Sequence, residues 1–167
     1  MIKQKYTSKN TSINSKKLPR IYGLVHVDSN ETVIDYGCGK FFDSYNLGPN
    51  FSGYDPFNRN HPELLTKKYD KAFCSNVLNV VAEREVRHEI LKNLSQLAGK
   101  VYITIYEGNR TNIESPTMKD CFQLNWTRDK YIPELIDIFG SSHVKWDKKG
   151  YFECDSVAKD DIMEVVA

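Results

Sequence analysis

The stretch VIDYGCGK, residues 33–40, constrains the fold of this chain more than any other feature. A short run of strand-like composition ends at Asp35 and Tyr36, and Gly37 and Gly39 follow directly. Glycines at this spacing suit a tight turn in which another group approaches the backbone too closely for a Cβ atom. The stretch therefore predicts a buried β-strand that ends in a turn against a ligand.

Strand patterns and helix patterns alternate along the rest of the chain. We expect four strands, over residues 32–36, 51–55, 71–75 and 101–106. We also expect a closing hairpin, whose strands, residues 144–146 and 151–154, are joined by DKKG. We expect helices over residues 18–25, 83–98 with Gly99 as the C-cap, and 131–139 with Pro133 in its first turn and Gly140 at its end. Residues 107–126 follow neither period, so we expect an irregular loop there.

The alternation of strands and helices predicts an α/β protein. Strands separated by helices form a mostly parallel sheet with helices on both faces, so we expect a Rossmann-like, doubly wound sheet. The closing hairpin would add antiparallel strands to it. Ligands of such sheets bind beyond the carboxyl ends of the strands. Four segments should therefore surround one crevice, namely residues 35–40, 55–57, 75–79 and 106–109.

Length and charge bound the domain organisation and the partners. A chain of 167 residues, 40% hydrophobic and 27% charged, fits one domain, which we assign to residues 17–167. Residues 1–16 are polar and basic, and we expect them to form an N-terminal arm. The segment before Asp28 contains six Lys and Arg residues and no Asp or Glu. The arm is either a solubilising extension or a nucleic-acid contact through Lys16, Lys17 and Arg20.

Several classes of site are disfavoured by residue spacing. The four cysteines, Cys38, Cys74, Cys121 and Cys154, form no CxxC pair, so neither a disulfide framework nor a metal site is expected. We expect His26, His61, His88 and His143 to be structural or exposed rather than catalytic. No apolar run reaches the ~20 residues of a membrane span, and the N-terminus does not resemble a signal peptide. The expected location is the cytoplasm.

The residues after the first two strands point to a nucleoside-bearing ligand. A dinucleotide fingerprint would need a third glycine where this chain has Phe42, so NAD and FAD are disfavoured. Asp55 ends the second strand, where an acidic residue accepts hydrogen bonds from a ribose diol. The alternative for Asp55 is a turn-forming residue before Pro56.

These motifs resemble those of the class I S-adenosylmethionine (SAM)-dependent methyltransferases. VIDYGCGK is similar to the first motif of that family, GYDP to its ribose-binding acid, and YDKAFCSNVLNVV to its fourth-strand segment. More narrowly, the chain resembles small methyltransferase-like proteins of phages and bacterial mobile elements, related to those associated with DNA phosphorothioation. Further matching segments run through most of the chain: TSIN, KLPRIY, DYGCGK, YDPFNR, SNVLNVV, YEG and QLNW.

The resemblance implies that the cofactor is SAM and assigns contacts to it. Asp35, Gly37 and Gly39 would surround the methionine end, with Tyr36, Cys38 and Lys40 in the same segment. Asp55 would hold the ribose hydroxyls, while Pro56 and Phe57 would flank the adenine. Asn76 and Val77 would contact the methionine amine or line the path of the methyl group.

Two departures from the family pattern affect this expectation. Phe41 and Phe42 replace the usual third small residue, so the loop must leave the strand differently. Only fifteen residues, 56–70, separate the second strand from the next confident one, which is too short for a helix, a strand and a further loop. We therefore expect a fold trimmed between the second and fourth strands of the family, with no assigned adenine-binding residue there.

The acceptor is not identified by the sequence. Methyltransferases of exocyclic amines carry Asp or Asn, two prolines and an aromatic residue after the fourth strand, whereas this chain has SNVLNV. We expect Glu107, beside Tyr106, to be the best-placed base or acceptor-orienting group, although an exposed loop acid is the alternative. Asn79 is either an acceptor contact or a helix cap, and residues 108–125 could cover the crevice with Gln123, Asn125 and Trp126 as a wall.

The expected activity is methyl transfer from SAM to an unidentified acceptor. The alternative is a non-catalytic module that binds SAM or accompanies a nucleic acid, because the segment after Asp55 is short and the acceptor motif is missing.

Overall fold

The computed structural model describes residues 3–8 and 17–156 and is an α/β structure. Eight strands follow in chain order: β1 (Val33–Tyr36), β2 (Phe51–Tyr54), β3 (Tyr69–Ser75), β4 (Ala98–Thr104), β5 (Ser115–Met118), β6 (Cys121–Gln123), β7 (Val144–Asp147) and β8 (Tyr151–Asp155), counted within the described residues. All but β5 and β6 form the main sheet, in the order β2-β1-β3-β4-β8-β7. β2, β1, β3 and β4 are parallel, whereas β8 is antiparallel to β4 and to β7. The predicted mostly parallel sheet and closing hairpin are confirmed.

Three α-helices cover the sheet: α1 (Ile21–Leu24), α2 (Arg84–Leu97) and α3 (Ile132–Phe139). The buried side chains of α2 and α3 belong to the larger core cluster, on one face of the sheet. Ile21 of α1 belongs to a second cluster with Val33, Phe73 and Tyr102, whose side chains point to the other face. Both faces of the sheet are therefore covered.

The ends of two helices depart from the sequence prediction. Gly99 is not the C-cap of α2, because the helix ends at Leu97 and Ala98 is already extended, with φ −141° and ψ 150°. Ala98 pairs with Tyr69, so the chain passes from helix to strand without the left-handed residue that a glycine cap would supply. α1 is only one turn rather than the predicted residues 18–25. In contrast, α3 begins with Pro133 in its first turn and ends before Gly140, as predicted.

The segment predicted as an irregular loop contains a second, two-stranded sheet. β5 (Ser115–Met118) and β6 (Cys121–Gln123) pair antiparallel, with a register shift between Pro116 and Met118. The proline and the shift break the alternating pattern by which a strand is recognised. We refer to residues 115–123 as the β5–β6 hairpin.

Short 3-10 turns follow β1, β2 and β3, and only the third of them leads into an α-helix, α2, before the next strand. They span Phe42–Tyr45, Pro62–Thr66 and Leu78–Val80. Tyr45 contacts Tyr22 of α1, whereas Leu64 and Leu65 pack against the core that contains α2. The chain therefore crosses one face of the sheet between β1 and β2, and the opposite face between β2 and β3.

Candidate functional site

A large cavity lies at the carboxyl ends of the parallel strands. It is beside the neighbouring strands β1 and β3, whose following segments pass over opposite faces of the sheet. Its volume is about 1320 Å³, above the roughly 300–1,000 Å³ of typical small-molecule sites. Of the thirteen residues predicted as cofactor contacts or catalytic groups, eleven line it: Asp35, Tyr36, Gly37, Cys38, Gly39, Lys40, Pro56, Phe57, Asn76, Val77 and Tyr106. Asp55 and Glu107 are not among the lining residues. The structure thus brings most of the proposed positions together, and their roles stay predictions.

The two glycines after β1 have different surroundings. Gly37 has φ +80°, and its N–H donates to the carbonyl of Tyr54 at 2.7 Å. A Cβ atom on Gly37 would lie 2.4 Å from a methyl group of Val77, so this glycine is required by packing within the protein. Gly39 has φ +67°, and a Cβ there would meet no described atom within 4 Å. Gly39 is therefore the glycine that leaves bare backbone facing the cavity.

The two phenylalanines after the turn have separate positions. Phe42 is buried, and its ring covers Gly53 of β2, where a Cβ would lie 2.5 Å from the ring. Phe42 therefore stands where a dinucleotide fingerprint would have its third glycine, and its ring packs on a glycine of β2 instead. Phe41 lines the cavity, with the Lys40 ammonium 5.2 Å from its ring centroid. A 3-10 turn rather than an α-helix follows, so no helix dipole is directed at the cavity from this turn.

Asp35 is a buried carboxyl group in the cavity wall. It is 1% exposed, and its Oδ2 atom accepts a hydrogen bond of 2.7 Å from the Tyr22 hydroxyl. Burial raises the pKa of Asp35 to about 7, with a further contribution from the nearby Asp55 and opposition from the Tyr22 hydrogen bond. The side chain therefore exchanges its proton near neutral pH, where a bound cation would favour the carboxylate.

Asp55 closes a turn at the end of β2. Its Oδ1 atom accepts hydrogen bonds from the N–H groups of Phe57 and Asn58 at 2.9 and 2.8 Å, and from the Asn58 amide at 3.1 Å. Its Oδ2 atom accepts from the Gly39 N–H at 3.2 Å. The carboxylate thus joins the β1 turn to the β2 turn. This is the turn-forming alternative, and the ribose contact stays a prediction that rests on Oδ2.

Cys38 and Tyr36 are neutral groups beside the turn. Burial, reinforced by Asp35 and Asp55, raises the pKa of the Cys38 thiol well above its usual range, so it is not a thiolate nucleophile. Burial raises the pKa of Tyr36 to about 12, and its hydroxyl accepts a hydrogen bond from Asn93 of α2 at 3.2 Å. These groups shape the cavity without adding charge.

Asn76 has a left-handed backbone at the end of β3, with φ +57°. Asparagine adopts this conformation more readily than most other residues, and Asn125 of the predicted wall shares it, with φ +54°. The Asn76 N–H donates to the Thr104 carbonyl at 2.9 Å, and its exposed side chain lines the cavity. Its role as a ligand contact stays a prediction that rests on this position.

Tyr106 and Glu107 occupy different positions after β4. The Tyr106 side chain is 60% exposed and lines the cavity. Glu107 accepts a hydrogen bond from the Arg128 N–H at 2.6 Å and forms an ion pair of 2.9 Å with Arg110. Its carboxylate therefore joins two loops outside the cavity lining, and its role as a base stays a prediction without support from its position.

Buried amide side chains connect the turn after β3, the loop after β4 and the β5–β6 hairpin. Asn79 is 1% exposed, and it donates to the Gln123 side chain at 3.1 Å and accepts from the Tyr106 N–H at 3.4 Å. It lies within the 3-10 turn Leu78–Val80 and is not a helix cap. Asn125 accepts from the Asn109 N–H at 3.4 Å. Of the predicted wall, Gln123 and Asn125 line the cavity.

Trp126 is the member of the predicted wall that does not line the cavity. The Arg87 guanidinium lies 5.0 Å from its ring centroid, and its ring contacts Tyr131 at 5.5 Å. Arg87 is itself buried in a two-point pair with Glu134, at 2.9 and 2.6 Å. Trp126 therefore packs against the buried Arg87–Glu134 pair rather than facing the cavity.

Two groups of lining residues were missed from the sequence. The apolar face of α2 contributes Val86 and Ile90, with Glu89 and Asn93 as polar neighbours. The helical period identified this face as core, but only the 3-10 turn Pro62–Thr66 lies between β2 and β3, and part of the face reaches the cavity. The second group comprises Lys3, Gln4, Thr7 and Ser8, from the segment assigned to a basic arm.

The basic arm itself is only partly described. Residues 3–8 pack against the domain, while positions 9–16, including Lys16 and the TSIN segment, lie outside the described residues. Lys17 lines the cavity. A nucleic-acid contact through this region stays a prediction.

Within residues 3–8 and 17–156, no cluster of three or more His, Cys, Asp or Glu side chains could hold a metal ion. In the same part of the chain, no helix has the length and apolar composition to cross a membrane. None of the four histidines lines the cavity.

Comparisons with protein-family models and with curated proteins found no match to this chain.

Proposed function

We propose that the cavity binds S-adenosylmethionine and that the protein transfers its methyl group to an acceptor. The observation that carries this proposal is the turn after β1, where Gly39 leaves open backbone against a cavity that Asp35 and Asn76 also line. Nucleoside-bearing ligands of α/β proteins bind at this position, beyond the strand ends and beside a glycine-containing turn. The resemblance of the same residues to the first methyltransferase motif adds the identity of the ligand.

The proposed fold is a trimmed Rossmann-like, doubly wound sheet. Two observations support it. The chain crosses opposite faces of the sheet after β1 and after β2, and a hydrophobic core cluster lies on each face. β2 is an edge strand, and only the 3-10 turn Pro62–Thr66 occurs between it and β3. In this proposal, the open face of α2 beside Val86 and Ile90 takes over the contact with the adenine that a longer segment would provide.

The chemistry proposed for the site depends on alignment rather than on a protein base. Methyl transfer from a sulfonium is an in-line displacement, which is accelerated mainly by holding the acceptor close and aligned. Among the described lining residues, the carboxyl groups are Asp35 and Glu89, and there is no histidine. The site therefore suits an acceptor atom that carries a free lone pair at neutral pH.

The test is isothermal titration with SAM and with S-adenosylhomocysteine (SAH). We expect both to bind the parent protein. Replacement of Gly39 with Leu should weaken SAH binding by about five- to 150-fold, because a side chain in a filled site costs ~1–3 kcal/mol. Gly150→Leu is the matched control, since Gly150 also has positive φ, +106°, but lies outside the cavity lining. Equal loss in both variants, or no binding by the parent, would refute the proposal.

A non-catalytic SAM-binding module is the second candidate. The position of Glu107 favours it, because both carboxylate oxygens are engaged by neighbouring loops away from the cavity. Release of SAH from SAM in the presence of candidate acceptors separates the two functions. Turnover would establish the enzyme, whereas binding without turnover across thiol, carboxylate and ring-nitrogen acceptors would favour the module.

A further inference from the structure

Residues 3–8 are attached to two parts of the domain. The Tyr6 ring stacks on Phe122 of the β5–β6 hairpin, with centroids 5.0 Å apart and an interplanar angle of 19°. The Ser8 N–H donates to the Asp120 carbonyl at 2.8 Å, also in the hairpin. The Lys5 N–H donates to Glu83 at 3.0 Å, directly before α2. The segment therefore bridges the hairpin and the loop that leads into α2.

The same segment forms part of the cavity. Its lining residues are Lys3, Gln4, Thr7 and Ser8, and the facing hairpin contributes Thr117, Met118, Cys121 and Phe122. The Ser8 Oγ atom is buried and has no hydrogen-bond partner among the described residues. A buried hydroxyl without a partner costs free energy, so a polar group of a bound ligand is a suitable partner for it.

We infer that residues 3–8 are a wall of the ligand site, which retains a bound S-adenosyl ligand until the Tyr6–Phe122 contact opens. This inference rests on the proposed function for the identity of the ligand. Within this segment, the Lys5 N–H donates to Glu83, and the Lys5 ammonium lies 5.1 Å from the Tyr6 ring centroid. We call residues 3–8 the N-terminal wall.

The experiment compares the full-length parent with Tyr6→Ala and Tyr6→Phe. Dissociation of SAH is followed by surface plasmon resonance, and protection of the Ser8 and Lys5 amides by hydrogen exchange. Stacked aromatic pairs contribute free energies equivalent to roughly two- to twelvefold in an equilibrium constant, so Tyr6→Ala should release SAH faster by about that factor. Tyr6→Phe keeps the ring and should release SAH at the parental rate. The Ser8 amide should exchange faster in Tyr6→Ala than in the other two proteins.

Three results would overturn the inference. The first is SAH dissociation from Tyr6→Ala at the parental rate, which would mean that the wall does not retain the ligand. The second is fast exchange of the Ser8 amide in the parent, which would mean that the wall is not docked. The third is equal acceleration by Tyr6→Phe, which would remove the ring contact as the cause. Absence of SAH binding by a parent whose Ser8 amide is protected would refute the proposed function separately, since docking of the wall would still be observed.

Discussion

Replacement of Asp35 with Asn should change how stability depends on pH. Asp35 is 1% exposed, and burial raises its pKa from 3.8 to about 7. A difference of about three pKa units between the folded and unfolded states corresponds to about 4 kcal/mol, at 1.36 kcal/mol per unit. The asparagine oxygen can still accept the hydrogen bond from Tyr22, so the substitution removes mainly the titration.

The direction of the pH dependence of stability follows from the protons bound by the folded and unfolded states. Between pH 4 and pH 7, the folded protein holds a proton on Asp35 that the unfolded chain has already lost. The contribution of Asp35 to stability is therefore complete below pH 4 and is lost as the pH rises through about 7. The parent should lose up to about 4 kcal/mol relative to Asp35→Asn across this window.

Urea unfolding of the two proteins at pH 4 to 8 measures this difference. Asp70→Asn is a useful control, because hydrogen bonds from the Thr32 backbone and side chain lower the pKa of Asp70. The stabilising contribution of Asp70 is present above its unfolded pKa of 3.8 and is lost only at lower pH, so the free-energy difference between parent and Asp70→Asn should stay nearly constant from pH 4 to pH 8. A constant free-energy difference between parent and Asp35→Asn from pH 4 to pH 8 would refute the reasoning about Asp35.

Three further predictions concern the glycine turn after β1, the buried Arg87–Glu134 pair and the Glu107 carboxylate. Gly37→Ala should lower the free energy of unfolding by about 2–4 kcal/mol, because of its positive φ and the clash with Val77. Val77→Ala in the same chain should restore part of that loss. Additive effects of the two substitutions in urea unfolding would contradict the clash. Glu134→Gln should cost about 3–5 kcal/mol in the same assay, because it leaves the Arg87 charge buried without its partner, and a loss below 1 kcal/mol would show that the pair is not buried in solution. Glu107→Gln should leave the affinity for SAH unchanged in isothermal titration, because Glu107 does not line the cavity; weaker binding would place this carboxylate at the ligand.

Local sequence patterns were sufficient for the sheet. The parallel strands and the closing hairpin carry strong β patterns between clear turn residues, and α3 is marked by Pro133 and Gly140. Gly99 misled the prediction because a glycine after a helix usually takes a left-handed conformation, whereas here pairing with β3 holds it in strand β4. The β5–β6 hairpin was missed because Pro116 and a register shift interrupt its alternation.

The site was predictable where each residue follows its strand, and not where it depends on distant contacts. Asn76 and Gly39 lie at strand ends, and the topology brings them to one cavity without further information. The N-terminal wall depends on the stacking of Tyr6 against Phe122, more than a hundred positions away in the chain. Glu107 follows a strand as well, but Arg110 and the Arg128 N–H hold its carboxylate outside the cavity. Such long-range contacts leave no local pattern.

An S-adenosyl ligand should bind at the carboxyl ends of β1 and β3, and a crystal structure with SAH would show whether it does. We expect SAH in this cavity, with its methionine end against Gly39 and its sulfur beside Asn76. The same structure would show the size and polarity of the space beyond the sulfur, where the acceptor must bind. SAH bound elsewhere on the protein, or an empty cavity in crystals grown with saturating SAH, would contradict the account.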